Sequence, residues 1–184
     1  MRRGFWVVAL AAALLAAGCI GTAAKQAYYG VTGASGRYFE VRTLGGSTSL
    51  LKYRSAQVEA FDPAPMLGVI PREVVTAVRP VIARELTEPE SFRLAAGGRP
   101  ALLIRGKFVD YDPGGAPLRA VGFGVDPFLT AQIEIVDADS GQVLGVAMVT
   151  GTVKSAVRVG PNELADGLAK AVKGLLEAHM KARK

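Results

Sequence analysis

Acidic side chains near the end of a predicted strand are the first candidates for chemistry. Asp137, Asp139 and Gly141 have the spacing with which a calcium-binding loop begins. The later positions do not fit, because Gln142 stands where such a loop needs its glycine and Met148 where it needs a bidentate Glu. We therefore predict a hairpin turn here and no metal site.

A second group of carboxylates surrounds a loop that contains glycine and proline. Asp110, Asp112 and Asp126 could meet for acid–base or cation chemistry, but Pro113 and Pro127 make turn formation the simpler account. The central Gly-Phe-Gly lacks the third glycine and the strand-to-helix context of a dinucleotide fingerprint. The loop remains a candidate for binding a partner or ligand, through Asp112, Gly122, Phe123, Gly124, Asp126 and Phe128.

The other residues that could support catalysis stand alone in the sequence. His179 is the only histidine and lies on the apolar stripe of a predicted helix, without a second His or Cys to share a metal. No serine lies in a Gly-x-Ser-x-Gly elbow, and no Gly-Lys-Ser/Thr phosphate loop is present. We predict no catalytic residue and no cofactor, and an enzyme is disfavoured.

The only cysteine follows a stretch with the pattern of an export signal. Basic Arg2 and Arg3 precede an apolar run of about 14 residues, shorter than the roughly 20 that a membrane-spanning helix needs. Leu15-Ala16-Ala17-Gly18-Cys19 resembles the bacterial lipobox, which is cut before the cysteine, here between Gly18 and Cys19. The resemblance implies that a diacylglycerol alkylates the Cys19 sulfur and that palmitate-type chains anchor the protein. The alternative is a secreted protein whose cysteine happens to fall at the cut.

This reading divides the chain into three parts and places it in the cell envelope. Residues 1–18 form the signal, 19–49 the acylated cysteine and a flexible tether rich in glycine, and 50–184 a single folded domain. A short strand could form inside the tether at 38–42. Two acyl chains give stable membrane attachment. Ile20 is not the Asp that retains such lipoproteins at the inner membrane, so we expect the outer membrane, facing the periplasm.

The charge of the mature chain is mild. Removing Arg2 and Arg3 lowers Lys+Arg from 22 to 20 against 16 Asp+Glu, which leaves +4. Such an excess could favour anionic headgroups or envelope polymers, whereas export makes nucleic acid an unsuitable partner. The sequence does not indicate the oligomeric state.

Hydrophobic periodicity predicts an α+β domain. Two amphipathic helices begin near Pro71 and Pro161, and Pro80 is expected to kink or split the first. Alternating apolar residues predict strands at 57–61, 101–109, 130–135 and 143–153. Together they indicate a mixed or mostly antiparallel sheet of about four strands with two helices on one face.

The order of motifs resembles a family of bacterial envelope lipoproteins known as domain of unknown function 4410. The layout is also similar to the TolB N-terminal domain and the curli-secretion lipoprotein. The resemblance covers about residues 50–184 and implies a fold and a location, with no catalytic residue. It is carried by the lipobox cysteine, the tether, Leu51-Lys52-Tyr53, Val58-Glu59-Ala60-Phe61, the helix from Pro71, Gly122-Phe123-Gly124, the Asp137 turn and Gly151-Thr152-Val153-Lys154-Ser155.

Three functions remain open from the sequence. The first is a noncatalytic, membrane-anchored interaction module in envelope assembly, secretion or transport, which holds an envelope protein by a sheet edge or by the 112–128 loop. The second is an accessory lipoprotein that binds a lipid or glycan in an apolar pocket shaped by the Gly-rich loop and the surface under Pro80. The third, a hydrolase, requires the aspartates to converge in a pocket.

Overall fold

The computed structural model describes residues 33–44, 50–87, 94–95, 98–115, 125–154 and 160–180. Its regular elements follow one another as five strands and two helices, with short 3-10 turns at Leu50–Lys52 and Ala64–Met66. In chain order they are β1 (Ala34–Arg42), β2 (Ser55–Val58), α1 (Arg72–Thr87), β3 (Ala101–Asp112), β4 (Phe128–Asp137), β5 (Val143–Val153) and α2 (Pro161–Met180).

The strands form one sheet in the order β1-β5-β4-β3-β2. All neighbours are antiparallel except β2 and β3, which run parallel. The predicted mixed, mostly antiparallel sheet with two helices is therefore confirmed, with five strands where about four were expected. The hairpin of β4 and β5 turns at 137–141, where Gly141 adopts a φ of +71° that suits glycine.

The additional strand is β1, and it corrects the predicted boundary of the tether. The sequence placed residues up to 49 in the tether and admitted only a short strand at 38–42. The strand begins earlier, at Ala34, and pairs with β5 along its length. Its side chains are exposed or only half-buried, so the period-2 pattern that identifies a half-buried strand is absent.

The core lies between the helices and one face of the sheet. From β3 and β4, Ile104, Phe108, Ile133 and Ile135 are fully buried on this face. The helices bury Val74, Val78, Val81, Ile82 and Leu86 from α1 and Leu164, Leu168, Val172, Leu175 and Leu176 from α2. The two helices also pack against each other. In the described ranges, no helix combines the length and apolar character needed to cross a bilayer.

Of the kink or split predicted at Pro80, the split is wrong, because α1 continues through this residue to Thr87. Proline removes the N–H that would bond the carbonyl of Thr76. Both Thr76 and Pro80 are exposed, so water can reach this part of the helix and bond the carbonyl. The core-facing side, with Val78 and Ile82, keeps its packing.

Glycines let α2 lie directly on the sheet. A Cβ added to Gly151 of β5 would lie 2.4 Å from the backbone nitrogen of Leu168, and one added to Gly36 of β1 would lie 2.3 Å from that of Ala171. A Cβ on Gly167, in the helix itself, would lie 2.9 Å from the Cα of Gly151. Helix backbone and strand backbone are thus in contact, and any side chain at these positions would separate them.

Candidate functional site

The ends of the predicted binding loop are brought together by a hairpin. Asp112 ends β3 and Phe128 begins β4, and the two residues face each other in the register of the pair. Asp126 lies two residues before that strand. Gly122, Phe123 and Gly124 lie outside the described residues, as do Gly18 and Cys19 of the predicted lipidation site.

The carboxylates next to this loop accept hydrogen bonds from backbone N–H groups of the same turn. Asp112 Oδ1 accepts a hydrogen bond from the Gly114 N–H at 2.6 Å, and Asp110 Oδ1 accepts one from the Tyr111 N–H at 2.8 Å. Burial, together with the nearby Asp112 carboxylate, raises the pKa of Tyr111. Among the described residues, no three His, Cys, Asp or Glu side chains are grouped closely enough to hold a metal ion. The contacts of Asp110 and Asp112 are those of turn formation.

The Asp137 turn is closed by a network of hydrogen bonds. The Tyr53 hydroxyl donates to Asp137 Oδ2 at 2.5 Å, and the N–H groups of Asp139 and Ser140 donate to Oδ1 at 2.9 Å. These bonds hold the pKa of the Asp137 carboxyl well below its usual range, with the Tyr53 bond the largest cause. Burial and the same carboxylate raise the pKa of Tyr53. The predicted hairpin turn is therefore confirmed.

Replacing Tyr53 by phenylalanine should destabilise the domain. Tyr53 is 1% exposed, and its hydroxyl bonds a charged acceptor, so we expect a loss of about 1.5–3 kcal/mol in the free energy of unfolding, measured with urea. The lowered pKa of Asp137 gives stability that is present above the ordinary value and lost as pH falls below about 4. The difference between wild type and Tyr53→Phe should therefore narrow in acid.

Tyr111→Phe is the matched control for this prediction, because its hydroxyl has no hydrogen-bond partner in the described part of the chain. It should unfold close to wild type. A Tyr53→Phe protein as stable as wild type at neutral pH would contradict the assigned role of the hydroxyl.

His179 joins the end of α2 to the first strand. Its Nε2 lies 2.8 Å from Glu40 Oε1. Glu40 Oε2 accepts the Leu44 N–H at 2.9 Å. Burial raises the pKa of Glu40, but the bonds to Leu44 and His179 outweigh it and leave that pKa below its usual value. The pair fixes one end of β1 under the helix.

The outer edge of β1 presents backbone groups that could pair with another strand. Gly33 accepts a hydrogen bond from the Lys154 N–H, so its backbone groups point toward β5. Successive residues of a strand direct these groups to opposite sides, so Ala34, Gly36 and Tyr38 direct theirs outward. Lys170 Nζ donates a hydrogen bond to the Ala34 carbonyl at 2.9 Å. In the part of the chain that the structure describes, Gly36 and Tyr38 have no partner on this edge.

Apolar side chains are exposed along the same strand. Tyr38 is 40% exposed, Phe39 72% and Val41 60%. A long edge strand with exposed apolar side chains favours pairing with another chain unless something covers it. Sequence reasoning did not single out these residues. The only available signal was the short stretch of aromatic and β-branched residues at 38–41.

The opposite edge, β2, is partly occupied and borders a cleft. Ala56 N–H donates to the Ala95 carbonyl at 3.2 Å, and Ala95 N–H donates to the Arg54 carbonyl at 2.9 Å. The cleft has a volume of about 680 Å³ and lies between β2 and α1. Its lining mixes apolar and polar side chains, among them Ala56, Gln57, Val58, Glu59, Arg79, Ala83, Leu86 and Leu94. This differs from the apolar pocket expected for a lipid.

Comparison with known proteins finds likeness among solved structures alone. No protein-family model matches the chain, and no curated protein matches it. The resemblance to family 4410 and to TolB therefore stays a prediction.

Two of the solved structures that are similar to this chain share few identical residues with it. A PelC dodecamer from Paraburkholderia phytofirmans is 17% identical, with a TM-score of 0.48, and the match covers 82% of this chain and 99% of that one. A candidate lipoprotein from Caulobacter crescentus is 11% identical, with a TM-score of 0.42, over 71% of this chain and 93% of that one. At these identities and TM-scores, neither likeness carries an argument about function or assembly.

Proposed function

We propose that this chain is a lipid-anchored, noncatalytic envelope protein that binds an extended segment of a partner by adding it as a strand to β1. The observation that carries the proposal is the outer edge of a nine-residue strand, on which no other described strand pairs. Main-chain hydrogen bonds supply affinity in this mode of recognition, and alternate side chains supply specificity. The outward backbone groups of Gly36 and Tyr38 would make those bonds, and the Tyr38 side chain would add a contact to the added strand.

The predicted anchor supports the same proposal. Cys19 lies 14 residues before Gly33 (33 − 19), so β1 is the part of the domain that follows most directly after the lipid. An extended chain of this length spans at most about 50 Å. A segment of an envelope protein near the periplasmic surface of the outer membrane is within reach. We propose such a protein as the partner.

Comparing Tyr38→Pro with Tyr38→Ala distinguishes the contribution of the backbone N–H to partner binding from that of the side chain. Proline removes an N–H that points away from β5, and edge strands tolerate proline with this orientation. Alanine removes the aromatic ring and keeps the N–H. In cross-linking of intact cells at matched membrane levels, we expect partner yield to fall about tenfold with Tyr38→Pro, the effect of losing one hydrogen bond and the fit of the added strand. Tyr38→Ala should retain most of it.

Equal yields of cross-linked partner from the wild type and from Tyr38→Pro would contradict strand addition, provided that circular dichroism shows both proteins to be folded. Equal loss from both variants would also contradict it, because the side chain alone would then be responsible. The mass of the cross-linked product identifies the partner. A product with twice the mass of the chain would identify a second copy, which light scattering of the purified protein can check.

The cleft beside β2 favours a second candidate, an accessory protein that binds a small ligand. Its volume of about 680 Å³ is within the usual range for ligand sites. Glu59 and Arg79, with apolar neighbours, suit a glycan or a polar headgroup better than an acyl chain. A noncovalent ligand seen in the native mass of protein purified from its host would favour this candidate over strand addition.

A further inference from the structure

The face of the sheet opposite the helices, here called the open face, carries a strip of cations and apolar side chains on β1. Phe39 and Arg42 pair in register with Met148 and Val146 of β5, whose side chains are only half-buried. Neighbouring positions on β5, such as Ala147, are buried toward the helices. Phe39 and Arg42 therefore project from the open face, and so does Arg37, two residues before Phe39.

The strip consists of Arg37, Phe39, Val41 and Arg42. Val41 lies at the register shift between Glu40 and Arg42 and is 60% exposed. Both arginines are exposed, and neither has an ion-pair partner among the described residues. An exposed phenylalanine between two exposed arginines is a suitable combination for the headgroup region of an anionic membrane.

The remainder of the open face carries charges of both signs. Arg105 is paired with Glu134 at 2.8 Å, and Lys107 beside them is exposed. The acidic Glu59 and Asp62 border a depression at the far, β2 side of this face. The β1 side is therefore the cationic side, and an anionic surface would approach it with the least repulsion.

The predicted tether keeps this strip close to the lipid. A flexible tether, as predicted from the sequence, would span the 14 positions from Cys19 to Gly33 with an average end-to-end distance of about 20 Å. At that distance the effective concentration of the membrane surface is high, so a weak patch on the domain is enough to orient it.

We propose that the β1 strip of Arg37, Phe39, Val41 and Arg42 docks the domain on anionic lipid headgroups. The docking rests on the proposed anchor and goes beyond it, because it gives the domain a fixed orientation. The outer edge of β1 lies in the plane of the sheet and stays free in this orientation. It would run along the membrane surface, where a membrane-associated partner could pair with it.

Vesicle binding by the mature chain without its lipid tests the proposal. Residues 19–184 carrying Cys19→Ser are sedimented with vesicles of phosphatidylethanolamine and phosphatidylglycerol, or of phosphatidylcholine alone. We expect binding to the anionic vesicles that falls with added salt. Arg37→Gln with Arg42→Gln should weaken it about 25-fold, at roughly fivefold for each cation near the surface. Phe39→Ser should weaken it further.

Two variants outside the strip serve as controls. Arg72→Gln removes an exposed cation at the start of α1, and Leu67→Ser removes a side chain that is 77% exposed. Both should bind like the parent. Absence of binding to the anionic vesicles, or equal binding by the strip variant and the Arg72→Gln control, would overturn the proposal.

This experiment is independent of the proposed function. The protein tested has neither acyl chain nor partner, so failure to bind vesicles leaves acylation of Cys19 and pairing at Tyr38 to their own tests. Loss of cell cross-linking in the strip variant, with vesicle binding unchanged, would assign the strip to a protein partner and overturn membrane docking.

Discussion

Replacing Gly151 by alanine is expected to destabilise the domain by about 3 kcal/mol or more, a large fraction of the roughly 5–15 kcal/mol that holds a typical domain together. The added Cβ would lie 2.4 Å from the Leu168 nitrogen, 2.7 Å from the Gly167 carbonyl carbon and 2.8 Å from the Leu164 oxygen. These are helix backbone atoms, which cannot rotate aside as a side chain can. The helix would have to rise from the sheet and lose contacts along its buried face.

Gly174→Ala, in the same helix, is the matched control. Its Cβ would lie 3.6 Å from the Tyr38 ring, an ordinary contact. Alanine has the higher helix propensity, so this variant should gain up to about 1 kcal/mol. Urea unfolding of the two proteins beside wild type makes the comparison. Equal stability of Gly151→Ala and wild type would contradict the close packing of α2 on β5.

The second large effect is expected from Cys19→Ser. Serine has no thiol to form the thioether with diacylglycerol, so the proposed acyl anchor would not be attached. We expect most of the protein to move from the membrane fraction to the periplasmic fraction of cells broken at physiological salt. The β1 strip alone has too few cations and apolar side chains to replace two acyl chains.

Ile20→Ala is the control for this change, because it alters the neighbouring residue and keeps the thiol. It should stay in the membrane fraction. A Cys19→Ser protein that also stays there, and that salt does not release, would show that another part of the chain holds it in place.

Much of the fold could be predicted from the sequence, because its signals are local. The spacing of Val74, Val78 and Ile82 predicts α1, and alternation around Ile133 and Ile135 predicts β4. The pairing of the strands could not be predicted in the same way. The position of β3 between β4 and a parallel β2 depends on contacts between distant segments, which periodicity does not encode.

The candidate site was less predictable, because it depends on which residues, distant in the sequence, lie next to each other in the fold. Phe39 and Val41 read as part of a tether, and only the sheet order shows that their strand is an edge. Gly36 lay in the predicted tether and Gly151 in a predicted strand, and only the structure shows that helix and sheet backbones meet at these two positions. The Asp137 turn was readable from its residues alone. Its bond to Tyr53, 84 positions away, was not.

Intact mass of the protein extracted from membranes of its host tests most directly the claim that this is a lipid-anchored envelope protein. We predict a chain that begins at Cys19 and is heavier than residues 19–184 by one diacylglycerol group, with one further acyl chain if the amino group is also modified. A chain of unmodified mass, recovered without detergent, would contradict the anchor, the outer-membrane location and the membrane orientation inferred from them.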